Sequence, residues 1–398
     1  MHSTILDYYH AHTSLAMRFM LTRMRRSDVC HRAHCLRADR FSNGHFATYH
    51  PSPDISLGAL GMIRYLSTLV IGGLMCIGSA QAQSPTKIRF ALDWVVQGQH
   101  APFYQALNRG YFKAEGLDVT IDAGAGSGAA IQRVATGYDM GFADLGVLIE
   151  TMGNNPGAQP VEGVYLVYEK NPNSLLIPRK AGVNTVADLK GKRLGAPTTS
   201  PIFRLWPLFA KANGLAVDDV TWMHMAPNLV EAAVVQGTAD IGTGHPTQAA
   251  IFYKLGVKPE DLKIMKYADH GVAMYGHVIL ANVEFAKKNP QAVAAFLRAY
   301  NHGLKDTIAD PAAAVRQVMQ VAPTLIEADE VLKMNLNMDS IDTPNARADG
   351  LGAIRKEVLD KMIDDMVSTF ALKVRPSADA LFSSAYLPPK SERIPPAH

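Results

Sequence analysis

Residues Lys87 to Leu117 read KIRFALDWVVQGQHAPFYQALNRGYFKAEGL, and the order of patterns in that stretch decides the fold class. Ile88–Leu92 is the short apolar run of a buried strand, and it ends at Trp94. A polar loop with Gln97, Gln99 and His100 follows, then an amphipathic helix from about Pro102 to Arg109, stopped by Gly110. A strand that delivers an aromatic ring and several hydrogen-bonding groups into a loop ahead of a helix is how an α/β protein presents a ligand.

The same grammar repeats downstream. Strands are expected at Val119–Ala123, Met140–Ala143 and Val161–Val167, with helices through Thr136 and over Leu145–Met152. After Glu169–Ser174 a second unit begins, with strands at Leu175–Ile177, Arg193–Ala196, Val220–His224, Asp240–Gly242 and Leu262–Tyr267. Its helices are expected over Thr185–Lys190, from Ser200 through Asn213, over Leu229–Gln236 and from Gly244 to about Leu255. Ser200 before Pro201 is a strong helix start. Val278–Ala281 reads as a strand returning to the first unit, and helical segments follow at 291–309, 312–320, 327–338 and 351–370. Alternation of this kind implies parallel sheets with helices on their faces.

The chain has 398 residues and a formal charge of +3, but the charge is unevenly placed. The first 82 residues hold eight Arg and four acidic residues, leaving the other 316 near −1, which argues against a nucleic-acid or anionic membrane partner. All three cysteines (Cys30, Cys35, Cys76) also lie there, so the rest offers no disulfide, thiolate ligand or cysteine nucleophile. Met62-Ile63-Arg64, a short apolar run to Gly78 and Ser79-Ala80-Gln81-Ala82 have the three parts of a secretory signal peptide, with cleavage expected after Ala82. The run is shorter than the roughly 20 residues that span a bilayer. Residues 1–61 are expected to be a non-native or unstructured leader, residues 62–82 the signal peptide.

Catalytic and metal motifs are sparse. Gly124–Ala129 fits G-x-G-x-x-A, with Asp144 twenty residues after Gly124, but it follows the second strand and reads as a tight turn. His100, His224, His245, His270 and His277 fall at strand ends or loops without the spacing of a metal site. There is no G-x-S-x-G. Neither a metal nor a cofactor is expected. The start of the Ser200 helix and Gly244-His245 at another would aim free N–H groups at an acceptor-rich ligand.

Leu92-Asp93-Trp94 with His100 six residues after the Trp, then Gly110-Tyr111-Phe112 and Glu115-Gly116-Leu117, resembles the NMT1/THI5-like group. Asp139-Met140-Gly141, Asp188–Lys192, Ala239–Gly242 and Glu284-Phe285 with Lys288-Asn289-Pro290 extend the resemblance over about residues 87–390. The group contains substrate-binding proteins of ABC importers for nitrate, sulfonates, taurine and thiamine-pyrimidine precursors. The resemblance implies a type II periplasmic-binding-protein fold: two α/β lobes around a ligand cleft, with C-terminal helices and crossovers near Glu169–Ser174 and Asp269–Val278. Lobe 1 would comprise 83–172 and 276–398, and lobe 2 would comprise 173–275.

One branch of the group is an enzyme, a fungal pyrimidine synthase that uses iron. It consumes a histidine placed shortly after the D-M-G strand and carries a C-C-C-F-C run at the second crossover. Those positions fall here at about Val147 and at Gly271–Tyr275, read GVAMY. The resemblance therefore implies a non-enzymatic, monomeric periplasmic protein that passes a small ligand to an ABC permease in the inner membrane. A ligand-binding sensor module is the other alternative. Within the cleft, Trp94 would stack on the ligand, Gln99 and His100 would hydrogen-bond it, and Asp144 would accept an amine, amide or ring N–H. Ser200 and Arg204 would meet an acceptor or anion from the other lobe, with His245, and Tyr275 would lie at the crossover.

Overall fold

The computed structural model describes residues 84–157, 161–198 and 200–397. The expected leader and signal peptide, 1–61 and 62–82, lie outside the described residues. Among the described residues, ten strands form two five-stranded sheets. They are β1 (Thr86–Ala91), β2 (Leu117–Asp122), β3 (Met140–Asp144), β4 (Val161–Leu166), β5 (Ser174–Pro178), β6 (Arg193–Ala196), β7 (Thr221–His224), β8 (Ile241–Gly244), β9 (Leu262–Lys266) and β10 (His277–Asn282). The first sheet has the order β2-β1-β3-β10-β4, and the second has β7-β6-β8-β5-β9.

The sheets are mixed rather than wholly parallel. β1 runs parallel to β2 and β3, and β6 runs parallel to β7 and β8. β10 is antiparallel to β3 and β4, and β5 is antiparallel to β8 and β9. The reversed strands are those that follow the two crossovers, so each enters its sheet from the opposite end. Strand period 2 alone does not reveal that direction.

Helices cover the sheets where the apolar stripes require it. The Pro290–Ala309 helix packs against Ala101–Asn108 and seals one face of the first sheet. Phe90 of β1 stacks on Phe296 at 5.2 Å between ring centres, and Phe103 meets Tyr300 at 4.6 Å. All four rings are buried and extend a core that includes Phe112 and Phe142. Burying a ring of this size is worth roughly 1.5–3 kcal/mol, so this aromatic layer is a main source of stability.

Two expected helices differ in extent, and one of them is divided. The segment from Ser200 to Asn213 forms Pro201–Arg204 and Trp206–Ala212, because Pro207 near the second start has no N–H to continue the first ladder. The segment 351–370 begins only at Lys356, after a Pro344–Asp349 helix and the Gly350–Gly352 turn. Thr185–Lys190 is a single 3-10 turn over Val186–Leu189, with the Asp188 carboxylate accepting the Thr185 N–H at 2.7 Å.

Candidate functional site

β1 ends in Leu92-Asp93-Trp94, where backbone pairing holds the chain against the glycine-rich turn after β2. The Gly124 N–H donates to the Trp94 carbonyl at 2.9 Å and the Gly126 N–H to that of Asp93 at 2.6 Å. A Cβ at position 124 would lie 2.0 Å from the Leu92 carbonyl oxygen. The G-x-G-x-x-A run thus exists for close approach of two turns. It leaves the Asp93 side chain directed into the protein.

Asp93 is buried and receives two imidazoles. His100 Nε2 lies 2.8 Å from Oδ1, and His277 Nε2 lies 3.1 Å from Oδ2. His100 Nδ1 accepts the Gln97 N–H at 3.2 Å, so its Nε2 carries the proton given to Asp93. Both nitrogens of His100 are engaged within the protein, and this completely buried ring supports Asp93. Burial works to raise the Asp93 carboxyl, but the His100 and His277 hydrogen bonds and charges hold it well below the usual carboxylate range.

His277 opens β10, and register places it opposite Asp144, the last residue of β3. Its Nδ1 is 3.9 Å from Asp144 Oδ2 and has no hydrogen-bond partner. Burial works to lower this imidazole. The Asp93 hydrogen bond and charge, aided by Asp144, overcome that and raise it above 6.5. Asp144 caps the Leu145–Asn154 helix through Oδ1 and the Val147 N–H at 3.1 Å, while Oδ2 accepts from Asn171 Nδ2 at 3.1 Å. The second sheet contributes His245, just past β8. Its ring stands almost perpendicular to that of His277, 6.5 Å between centres. Burial and the positive charge of His277 push it down to about 4, against the pull of Asp93.

The fold thus brings His100, Asp144 and His245 together around Asp93 and His277. Trp94, next to Asp93 in the chain, is 48% exposed. Gln99 is half-buried, and its Oε1 has no partner. The remaining candidates are engaged elsewhere. Ser200 caps a four-residue helix, its Oγ accepting the Ile202 N–H at 3.3 Å. Arg204 forms two bonds to Glu150, at 3.1 and 2.8 Å, and its guanidinium lies 4.0 Å over the Phe370 ring. The Tyr275 hydroxyl accepts the Arg355 N–H at 2.9 Å. Sequence reasoning missed Asp93, Asn171 and His277. Asp93 was visible as an acid breaking an apolar strand end between Leu92 and Trp94, and His277 as a histidine opening a buried strand. No group of three or more His, Cys, Asp or Glu able to hold a metal occurs among the described residues.

The NMT1/THI5-like family model matches residues 97–314, more than half of the chain. The chain belongs to the NMT1/THI5-like family. A relative is 4-amino-5-hydroxymethyl-2-methylpyrimidine phosphate synthase THI13 of Saccharomyces cerevisiae, 27% identical over 253 residues, covering 61% of this chain and 73% of that one. Among solved structures, the alkanesulfonate-binding protein SsuA from Xanthomonas axonopodis pv. citri, bound to MOPS, superposes with a TM-score of 0.55. It is 19% identical and covers 75% of this chain and 99% of that one. The periplasmic aliphatic sulphonate binding protein SsuA from Escherichia coli superposes with a TM-score of 0.56 at 16% identity, covering 78% and 92%. These structures share the periplasmic-binding-protein fold of type II with this NMT1/THI5-like chain.

One expectation is corrected by these relatives. The resemblance implies a non-enzymatic protein, but that expectation is not supported, because curated relatives at 26–27% identity bear the name of a synthase. The fold carries His277 from β10 to a place level with Asp144 at the end of the D-M-G strand, which linear counting does not reveal. No helix among the described residues is long and apolar enough to cross a membrane.

Proposed function

We propose that the chain binds a small ligand between its two α/β units and hands it to an ABC permease, acting in the periplasm after export through the 62–82 signal peptide. The units are 83–172 with 276–398, and 173–275, and the protein acts as a monomer. The observation that carries this reading is the buried Asp93–His277 pair at the end of the first sheet. It is faced by His245 from the second sheet, with His277 Nδ1 unpartnered. A buried polar nitrogen without a hydrogen-bond partner costs about 1–3 kcal/mol, a penalty that a hydrogen-bonding group of a ligand relieves. Trp94, the residue after Asp93, supplies an exposed ring, which favours an aromatic or heteroaromatic ligand with a hydrogen-bonding or acidic group.

The test is a thermal-shift panel of pyrimidine precursors, riboflavin-like rings, aromatic carboxylates and alkylsulfonates. A ligand at a hundred times its Kd adds about 2.7 kcal/mol of stability. The best ligand should lose at least tenfold in affinity, about 1.4 kcal/mol, in Trp94→Ala and in His277→Gln. Unchanged affinity in both variants would remove the site from this place.

A second reading, favoured by the names of the curated relatives, is synthesis of 4-amino-5-hydroxymethyl-2-methylpyrimidine phosphate. Mass-spectrometric detection of that compound after incubation of the purified chain with cell extract metabolites would support it. The same incubation with Asp93→Asn and His277→Gln would locate the chemistry.

A further inference from the structure

The Glu327–Ile341 helix belongs to neither sheet and touches both units. One side faces the first. Buried Glu330 accepts the Gly98 N–H through Oε2 at 2.6 Å and pairs with Lys333 through Oε1 at 2.6 Å. Backbone contact at this point is close enough that a Cβ on Gly98 would lie 2.2 Å from the Glu330 carbonyl oxygen. Met334 and Ile341, on the same side, join the aromatic core of the first sheet. A different side of the helix faces the second unit. Asp329 pairs with Lys254 at 2.6 Å, Asp339 pairs with the nearly buried Lys266, and Leu336 packs on the Leu176–Phe252 cluster.

We propose that this helix is a strap that travels with the first unit and fastens the second, with Glu330 the positioning residue that sets the 94–100 loop. The division of labour follows from the contacts. Toward the first unit the helix uses apolar burial and a buried carboxylate, which do not release at low cost. Toward the second it adds to the packing of Leu336 two ion pairs whose exposed members, Lys254 and Asp339, leave the charges open to water and salt. Opening therefore breaks the lysine side first and exposes Lys266 to solvent. Because Glu330 holds Gly98 two residues before His100, the loop that carries Trp94 and Gln99 keeps its shape while the second unit swings. The functional consequence rests on the proposed ligand site between the units, but the device itself is tested without any ligand.

Spin labels at Lys113→Cys and Lys258→Cys, with Cys30, Cys35 and Cys76 changed to serine, report the distance between units. Asp329→Asn with Asp339→Asn should lengthen and broaden that distance, while hydrogen exchange over 94–100 stays as in the parent. Glu330→Met should raise exchange over 94–100 about tenfold or more, the equivalent of one lost hydrogen bond. Glu330→Gln, which keeps an acceptor for Gly98, should restore protection. An unchanged distance in the double aspartate variant overturns the strap. Unchanged exchange in Glu330→Met, or no rescue by glutamine, overturns the positioning role. If every variant behaves as expected while no compound in the panel binds, the ligand reading fails and the strap stands.

Discussion

Asp93 is the residue on which the site turns, because a buried carboxylate needs partners and here it has two imidazoles. Asp93→Asn should cost about 3 kcal/mol in urea unfolding, since it leaves two histidines without their anion. The three shifted groups also set a pH profile. A carboxyl held low stabilises the fold above its ordinary value of 3.8 and loses that contribution as pH falls through the native value. His245, pushed down to about 4, makes stability climb as pH rises from about 4 to 6.5. His277, held above 6.5, contributes fully below that pH and loses the contribution as pH rises through its native value. Stability should therefore peak near pH 6.5, as measured by denaturant midpoints across pH. His245→Phe should flatten the acid limb and His277→Gln the neutral limb. If both variants kept the parent profile, these assignments would be wrong.

At the scale of elements, glycines separate turns that need closeness from those that do not. Gly98→Ala forces a methyl against the Glu330 backbone and should destabilise by about 2 kcal/mol. Gly128→Ala, at the exposed start of the Ser127–Thr136 helix with open space around it, should stabilise by about 0.5 kcal/mol. Calorimetry on the pair checks both signs. Element type was legible along most of the described chain, because apolar period and punctuation were strong: Met140–Asp144 with its Asp cap and Pro290–Ala309 after Asn289 are examples. What was not legible was interruption within a continuous apolar pattern. The break at Leu205 depends on Pro207 inside a stretch that otherwise reads as one helix.

At the scale of the whole molecule, the candidate site was half readable. His100, Asp144 and His245 lie together, but the partner that organises them, His277, is 184 positions from Asp93. Only the antiparallel return of β10 brings it there. Arg204 illustrates the converse: its place near a helix start suggested a ligand, whereas the packed units offer it Glu150 and Phe370. A double-mutant cycle on Arg204→Met and Glu150→Gln should give a coupling of about 0.5–1 kcal/mol, reduced by half or more in molar salt, because both side chains are partly exposed. Coupling that did not respond to salt would mean that the stacked Phe370 contact, not charge, holds the guanidinium.

The position of β10 between β3 and β4 also fixes an order of assembly in time. All five strands of the second sheet lie in one continuous stretch, Ser174–Lys266, so that sheet can close as soon as those residues are available. The first sheet cannot: until His277–Asn282 arrives, β3 and β4 have no strand to join them and present bare edges. Long-range pairing of this kind is slow and leaves sticky intermediates. In refolding followed by pulsed hydrogen exchange, β5 to β9 should gain protection before β3 and β4. A nascent chain stalled before β10 is the species most in need of a chaperone.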